Sequence, residues 1–542
     1  MAKESGENPK INKPIADFVE ELKKQFEAEK RQEKKGEEEE IEEAGLPRWS
    51  ESEAGESMAL LYEKVRNLIE YKDDHLIKRN AIERILKRNL LIEFRRENFT
   101  EQFLEELAMS GYLERGRISE SLRSRIKNTI AKYQGAIRAV NVYESKRWLV
   151  SMASCEVEEI LFPNPARFAL VRAMRETVKE RIKVKDMKKM KESEKDIQIF
   201  LASMRSIAKP DNAMLNFVLF KVYFPDWFQE KIQEEKIAKM LVGLPELIRS
   251  IRKKISSPVS VKIGVALRKY AVFFNILYEM ALGNISKIER IVANPESLKF
   301  AVQIASSEVY DQEMRKFRKR MRRSLIFLII TKIILAVAVE YPYDLYVVGR
   351  VAMTPIIINL FLPPLYMIAL SMTVRRPSEE NSALIAKGVE EIAYGGGEKP
   401  IAEIRMQEIE TFSDWALNLF FILTYGISFG LAIWILSILK FNWLGILIFL
   451  FLFSVISFFN ALVRQPVREL LIAREKEGLI GMLIDTLSMP FVRIGKWMSV
   501  NFSRINVFIF LFDVIIEAPF KVVIRFIREW AGFIRRKKEE VI

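Results

Sequence analysis

The feature that most constrains this chain is a cationic block joined directly to a long apolar run. RKFRKRMRR at 315–323 has seven basic residues in nine, and SLIFLIITKIILAVAVEYPYDLYVV follows it directly. An apolar run of this length can cross a bilayer as a helix, and basic side chains collect on the cytoplasmic side of such helices. The junction therefore predicts a transmembrane helix that enters the membrane from the cytoplasm.

Three more apolar runs follow, and the charges between them indicate the topology. The connections inside the first and second pairs of runs are short, whereas the loop 375–414 between the pairs opens with Arg375 and Arg376. By the positive-inside rule, this pattern predicts two helical hairpins in a multi-pass protein of the cell (inner or plasma) membrane, with both chain termini in the cytoplasm. The four predicted spans are 325–348, 353–374, 415–439 and 441–463.

The region 57–314 has the apolar periodicity of helices. Leu61, Val65 and Leu68 share one helix face, with charged residues on the others, and Pro and Gly separate the helical segments. No block alternates between apolar and polar residues as a half-buried strand would. The predicted fold class is therefore all-α: a large N-terminal cytoplasmic helical domain at 57–314, followed by a transmembrane region at 315–463.

The two ends of the chain are expected to lie outside the membrane. Residues 1–56 are rich in Lys and Glu, and this composition predicts a disordered acidic tail with a transient helix. Residues 464–542 are predicted to form amphipathic helices on the inner leaflet, because their last apolar run is short and contains Asp513 and Glu517. These two carboxylates share a helix face and are expected to pair with basic neighbours; the alternative is a proton-relay or metal pair.

The first apolar run carries three charged residues that invite two interpretations. Lys332, Glu340 and Asp344 can share one broad flank of a helix. In the first interpretation they line a polar interior or an ion path, the usual role of charges at membrane depth. In the second, Lys332 extends to the inner surface while Glu340 and Asp344 mark the outer end of the span.

The second and third runs contain irregularities that matter for packing. Pro363 and Pro364 remove two backbone donors and predict a kink or break, with Asn359 one turn earlier placed to satisfy the freed groups. Broken helices are common in transporter sites, but proline kinks also occur in ordinary membrane helices. Gly426 and Gly430 form a G-x-x-x-G pattern, which predicts close helix packing inside the protein or between copies.

Composition excludes several kinds of chemistry. Cys155 is the only cysteine and His75 the only histidine, so the chain has no intrachain disulfide and no Cys–His site; Cys155 is predicted to be a buried small apolar residue. No catalytic residue, cofactor or metal site is expected.

The net charge of +14 favours anionic lipid head groups as partners. Nucleic acid is not expected, because four acids interrupt the basic run 179–195 and no aromatics accompany it. The scarcity of Cys and His beside abundant Lys, Glu and Ile is typical of heat-adapted cells.

Two functions fit these features. The leading hypothesis is a non-enzymatic membrane protein that serves as a cytoplasm-facing anchoring or assembly platform, with a protein partner on the cytoplasmic side and homo-oligomers in the membrane. The rival is an oligomeric ion or solute transporter or channel that uses the charged first span and the proline-broken second span.

Overall fold

The computed structural model describes residues 11–43, 74–91, 99–113, 119–185, 191–229, 237, 240–349, 351, 353–395, 402–405, 412–472 and 479–504. This part of the chain is nearly all helical, as predicted. It divides into two compact units. The N-terminal unit consists mainly of residues 12–267, and the bundle unit mainly of residues 268–504. The division therefore falls near residue 268, whereas the sequence pattern places it before residue 315.

The N-terminal unit is built from short amphipathic helices and one pair of short strands. Strand β1 (Ile182–Lys185) pairs with β2 (Ala402–Arg405). The helices are α1 (Lys13–Glu43), α2 (Asp74–Leu91), α3 (Phe99–Met109), α4 (Glu120–Ala139), α5 (Tyr143–Leu161), α6 (Pro165–Lys179), α7 (Glu192–Ile207), α8 (Asn212–Tyr223), α9 (Leu244–Ile255) and the first part of α10 (Pro258–Gly283), with a 3-10 turn at Pro225–Phe228.

Helix α1 corrects the prediction of a disordered tail. Ile15, Phe18 and Leu22 are buried and pack against α6, and the amide of Ala166 donates a 3.0 Å hydrogen bond to Gln25 Oε1. The tail prediction is therefore wrong for residues 12–43. It failed because the average composition hides an apolar stripe on one face of the helix, which supplies the burial that ordering requires. Residues 1–10 and 44–56 lie outside the described residues.

The bundle unit contains the long apolar helices. Its elements are the second part of α10, α11 (Ile288–Ala293), α12 (Pro295–Leu335), a π-helix (Ala336–Glu340), α13 (Tyr341–Tyr343), a second π-helix (Asp344–Val348), α14 (Met353–Met372), α15 (Glu379–Tyr394), α16 (Phe412–Ile438), α17 (Trp443–Glu469) and α18 (Leu479–Arg504).

Helix α12 and the π-helices form one uninterrupted helical path from Pro295 to Val348. Asn294 caps the start by accepting a 3.1 Å hydrogen bond from the amide of Ser297. Gly349, with φ of +74°, ends the path in the left-handed conformation that commonly terminates helices. The cationic block and the first apolar run therefore belong to a single rod.

Within the part of the chain that the structure describes, three helices are long and apolar enough to cross a membrane: Met353–Met372, Leu419–Ile438 and Trp443–Glu469. They correspond to the second, third and fourth predicted spans. The first predicted span carries Lys332, Glu340 and Asp344 and is not among these three.

The bundle unit has a basic end, defined here by the block 315–323 with Arg375, Arg376, Arg464 and Arg468. Arg376 donates 2.8 Å and 2.7 Å hydrogen bonds to Asp311 and Ser307 of α12, and Arg464 donates a 3.0 Å bond to Thr373. Every basic side chain of the block is exposed except the half-buried Arg320. Phe317 and Met321, on the opposite face, pack into a buried apolar cluster with α14 and α17. The folded bundle thus gathers the predicted topogenic charges at one end.

Helix α18 contains the segment MPFVRIGKWM, which was predicted to form an amphipathic helix, and one of its faces packs against α16 and α17. The ring of Phe491 lies 4.5 Å from that of Phe429 in α16 and 4.9 Å from that of Phe453 in α17. Gly495 lies directly against the backbone of Ser454, in the middle of α17. Small and aromatic residues of α18 form this contact, and Arg493 stays on the exposed face. The position of α18 at the inner leaflet stays a prediction.

Candidate functional site

Three buried polar side chains of the bundle unit meet between helix α14 and the end of α12 with its following π-helix. Lys332 Nζ donates a 2.5 Å hydrogen bond to Asn359 Oδ1, and Asn359 Nδ2 donates a 2.5 Å bond to Glu340 Oε1. Lys332 and Asn359 are each 1% exposed, and Glu340 is 8% exposed. We call these three residues the polar triad. An amide thus links two opposite charges inside an otherwise apolar bundle.

The π-helix explains why Lys332 and Glu340 reach the same partner. In a regular α-helix eight residues turn about 80° beyond two full rotations, which would splay the two side chains apart. A turn of π-helix contains about one residue more than a turn of α-helix. The eight residues from Lys332 to Glu340 therefore rotate about as far as seven residues of an α-helix, which is within about 20° of two full rotations. Both side chains therefore face Asn359. Such π segments are frequent at functional sites.

Helix α14 runs through both prolines without the predicted break. Pro363 and Pro364 are buried inside the helix Met353–Met372. Pro363 has no N–H to donate to the carbonyl of Asn359, so that carbonyl lacks its usual intrahelical partner. The side chain of Asn359 was expected to compensate for freed backbone groups, but it bonds to Lys332 and Glu340 instead.

A small pocket adjoins the triad on the side away from the basic end. Asn442 donates a 2.6 Å hydrogen bond to Asp344 and accepts a 2.6 Å bond from the amide of Gly445. The lining includes Glu340, Tyr343, Asp344, Asn359, Asn442 and Gly445. The space is large enough for about one or two water molecules. Glu340 and Asn359 are therefore the triad members that can meet water.

In the structure the Lys332 side chain lies inside the bundle, which is the geometry of the polar-interior interpretation. Its ammonium group bonds to Asn359 rather than extending toward the basic end, although Arg323 is only about 13 Å away along the helix axis. Glu340 and Asp344 lie on the same path, and both are buried. The structure therefore brings together Lys332, Glu340 and Asn359, with Asp344 at the adjoining pocket.

The other predicted site residues do not join this cluster. Gly426 and Gly430 are exposed on α16, and a Cβ added at either would meet no atom of the described residues within 4 Å. The described residues therefore show no close helix contact at this pattern, and packing between copies stays a prediction. Asp513 and Glu517 lie outside the described residues.

Sequence reasoning missed two polar positions that order the bundle unit. Asn442 was counted only as part of the short connection between the last two runs. Asn381 donates 2.8 Å and 2.9 Å hydrogen bonds to the Tyr310 hydroxyl and the Leu470 carbonyl, and accepts one from the amide of Ile472. A lone polar residue in an amphipathic helix gives no signal of such contacts, because its partners are distant in sequence.

Metal and cofactor chemistry have little support in the described residues. They contain no group of three or more His, Cys, Asp or Glu side chains placed to hold a metal ion. Cys155 is buried, as predicted, and burial raises the pKa of its thiol well above the ordinary value. The triad offers a different chemistry: two groups of opposite charge that can each gain or lose a proton.

These features define a helical protein with three candidate membrane-spanning helices and a buried polar triad beside them. Comparison of the chain with models of known protein families, with curated proteins and with solved structures finds no match.

Proposed function

We propose that the chain is a non-enzymatic integral protein of the cell membrane that acts as a cytoplasm-facing anchoring or assembly platform. The basic end of the bundle unit is the observation that carries this proposal. Exposed basic side chains from α12 and from the ends of α14 and α17 lie together where the apolar helices end. Such a surface suits anionic lipid head groups and favours a cytoplasmic location for that end.

The first apolar run is proposed as the fourth span. Arg323 and Asp344 are 21 residues apart on one helical path, which corresponds to about 30 Å, the thickness of the hydrocarbon core. Tyr343 and Trp443 pack edge to face with centroids 6.4 Å apart, next to Asp344. Aromatic side chains of this kind are typical of the membrane interface, and here they support an outer boundary.

The proposed binding partners are inferred from the exposed surfaces of the chain. Anionic lipid is proposed at the basic end, a protein partner on the N-terminal unit, and a second copy at the outward face of Gly426 and Gly430. A single histidine and a single cysteine support a role without catalysis.

Lipid binding tests the proposed role of the basic end. Purified full-length chain in nanodiscs of zwitterionic lipid with a minor fraction of phosphatidylglycerol should retain phosphatidylglycerol, counted by native mass spectrometry. Lys319→Gln with Arg323→Gln should reduce the number retained. A matched control is Arg249→Gln with Lys253→Gln, which removes two exposed charges from α9. Equal retention by both double variants would contradict the proposal.

Partner binding tests the platform itself. A lysine-reactive cross-linker applied to native membranes should join exposed lysines of the N-terminal unit, such as Lys127 and Lys253, to one recurring protein. Mass spectrometry would locate the linked residues. The platform function is wrong if these lysines form links only within the chain.

Transport through an oligomer is the second candidate, and the buried triad specifically favours it. Ionisable groups buried among apolar helices usually mark a substrate or ion path. Ion flux in liposomes that Lys332→Leu abolishes would support transport, and no flux above protein-free liposomes would contradict it.

A further inference from the structure

Among the described residues, a pocket reaches the polar triad on the side away from the basic end. Glu340 and Asn359 line the pocket that also contains Asp344. In the direction of the basic end, Leu328, Met367 and Ile456 belong to one buried apolar cluster, which we call the apolar layer. Leu328 lies one turn from Lys332 on the same helix face. The triad is thus open toward the pocket and closed toward the basic end.

Polar groups lie level with the apolar layer and further toward the basic end. Tyr366 and Ser457, the sequence neighbours of Met367 and Ile456, approach each other at 3.5 Å between their hydroxyl oxygens. Asn460, one turn further along α17, is buried, and its Oδ1 has no hydrogen-bond partner among the described residues. Arg464 follows after another turn and bonds to Thr373 at the basic end. These polar side chains lie beside the buried apolar cluster, which continues from the apolar layer through Met321 and Val463 to the basic end.

The charges of Lys332 and Glu340 compensate each other, because few other charged side chains lie near them. Helix α14 has no charged residue, and the charged residues of α17 are Arg464, Arg468 and Glu469, at its far end. The other ionisable groups near the pocket are Tyr343 and Asp344, together with the exposed Lys440 at the end of α16. Arg350 and the side chain of Asp414 in α16 lie outside the described residues.

This arrangement couples the two charge states. An isolated charge in an apolar interior is costly, whereas a compensated pair is tolerated. Protonation of Glu340 from the pocket removes the compensation for Lys332 and so promotes loss of a proton from its ammonium group. Asn359 acts as a positioning residue, since it keeps the two groups connected while neither contacts the other directly.

We propose that Lys332 and Glu340 form a proton-exchange site, with the pocket as its entrance and the apolar layer as the gate that must open for a proton to cross. The proposal rests on the second candidate function, transport, and specifies the proton as the transported ion.

The proposed cycle has three steps. A hydronium ion in the pocket gives its proton to the Glu340 carboxylate, which leaves a carboxylic acid and water. The Lys332 ammonium then gives a proton to a water molecule admitted through the open gate, which leaves an amine and hydronium. Finally, a water molecule admitted from the pocket takes the proton of the Glu340 acid and gives it to the Lys332 amine, and the original charges are restored with one proton moved across the bundle.

Proton flux into liposomes tests the site. Full-length protein would be reconstituted with a pH-sensitive dye inside, and a potassium gradient with valinomycin would supply the driving potential. Flux should exceed that of protein-free liposomes, and Glu340→Gln should reduce it by about tenfold or more. Glu313→Gln is the matched control, because it removes a carboxylate from the same helical rod at the basic end. Wild-type flux at the protein-free level, or unchanged flux in Glu340→Gln, would overturn the proposal.

A charge-neutral double variant separates folding from proton exchange. Lys332→Gln with Glu340→Gln keeps a donor and an acceptor for Asn359 but removes both titrating groups. Its melting temperature should lie above that of Lys332→Gln alone, and its proton flux should remain lost. Retained flux in this double variant would overturn the proposal. An infrared difference spectrum gives a second readout: a carboxylic acid band that appears on acidification should vanish in Glu340→Gln and persist in Glu313→Gln, and persistence in both would contradict a proton on Glu340.

A parallel measurement distinguishes this proposal from transport in general. Potassium or chloride flux without proton flux would overturn proton exchange and leave the transport function standing. Lipid retention and cross-linking of the N-terminal unit do not depend on the triad, so their outcome bears on the platform function alone.

Discussion

At the residue scale, the N-terminal unit holds a carboxyl group whose ionisation opposes folding. Burial raises the pKa of Glu158 from 4.5 to about 7, and the nearby carboxylate of Asp211 contributes in the same direction. The guanidinium of Arg79 acts against this rise but is shared with Asp211 and Glu83. Glu158 is therefore better tolerated as an acid than as a carboxylate.

The consequence is a stability that depends on pH. Because the folded-state pKa lies above the unfolded value, the contribution of Glu158 is fully present below pH 4.5 and is lost as pH rises through about 7. Glu158→Gln should therefore increase the free energy of unfolding at about pH 8 by up to about 3 kcal/mol, with little difference at about pH 4. Urea unfolding followed by tryptophan fluorescence would measure this. Glu144→Gln, on the exposed face of the same helix, should not reproduce the pH dependence.

The triad shows how much a single side chain depends on its surroundings. A lysine nine residues from a cationic block can equally extend toward that block or turn into the bundle, and the local sequence is the same in both cases. Asn359, 27 positions later in the chain, decides between them by accepting the hydrogen bond from Lys332.

At the element scale, α1 is stabilised by packing rather than by helix propensity. Isolated helices are marginal in water, and most of their stability in proteins comes from burying an apolar face. Phe18 is 0% exposed at the centre of the face that packs against α6. The helix should therefore be an integral part of the N-terminal unit.

Truncation of Phe18 tests this role. Phe18→Ala should lower the free energy of unfolding of the N-terminal unit by about 3 to 5 kcal/mol, through lost apolar burial and the cavity left behind. Phe26→Ala, on the same helix but at a position 39% exposed, should cost much less. Denaturant titration of the full-length variants in detergent gives both values, and equal costs would show that the face is not docked.

A second element-scale prediction concerns the contact between α17 and α18. A Cβ added at Gly495 would lie 2.1 Å from the carbonyl oxygen of Ser454 and 2.7 Å from Cβ of Phe458, so one helix would have to move. Gly495→Ala should therefore destabilise the bundle unit by about 1 to 3 kcal/mol. Gly283→Ala is the control, because its Cβ would meet no atom of the described residues within 4 Å and alanine favours the helix. Thermal unfolding in detergent should rank Gly495→Ala below wild type and Gly283→Ala level with it or above.

At the scale of the whole molecule, the basic end implies a sided orientation in the membrane. The proposed four-span topology would place the basic end in the cytoplasm, and Tyr346 and Trp443 near the outer surface. Both are well exposed, at 82% and 67% respectively.

Cysteine labelling tests this orientation. In a Cys155→Ala background, Tyr346→Cys and Trp443→Cys should react with a membrane-impermeant maleimide in intact cells, whereas Lys319→Cys should react only after the membrane is opened. Labelling would be measured as a mass shift on a gel. Reaction of Lys319→Cys in intact cells would contradict the topology.

The sequence by itself determined the helical class, three of the helices long and apolar enough to cross a membrane, the burial of Cys155 and the positions of the topogenic charges. Periodicity, run length and composition act over a few neighbouring residues, so they can be recognised without the fold. The candidate residues Lys332, Glu340 and Asn359 were also recognisable, because charges and amides are conspicuous in apolar runs.

Only the tertiary structure decided which of these residues meet. It docked α1 against α6, packed Gly495 rather than Gly426 and Gly430 against a neighbouring helix, and joined Lys332 to Glu340 through Asn359. It also carried α14 through Pro363 and Pro364. Each outcome depends on a partner far away in the chain, and the energy of such a contact exists only when the fold brings both surfaces together and removes them from water.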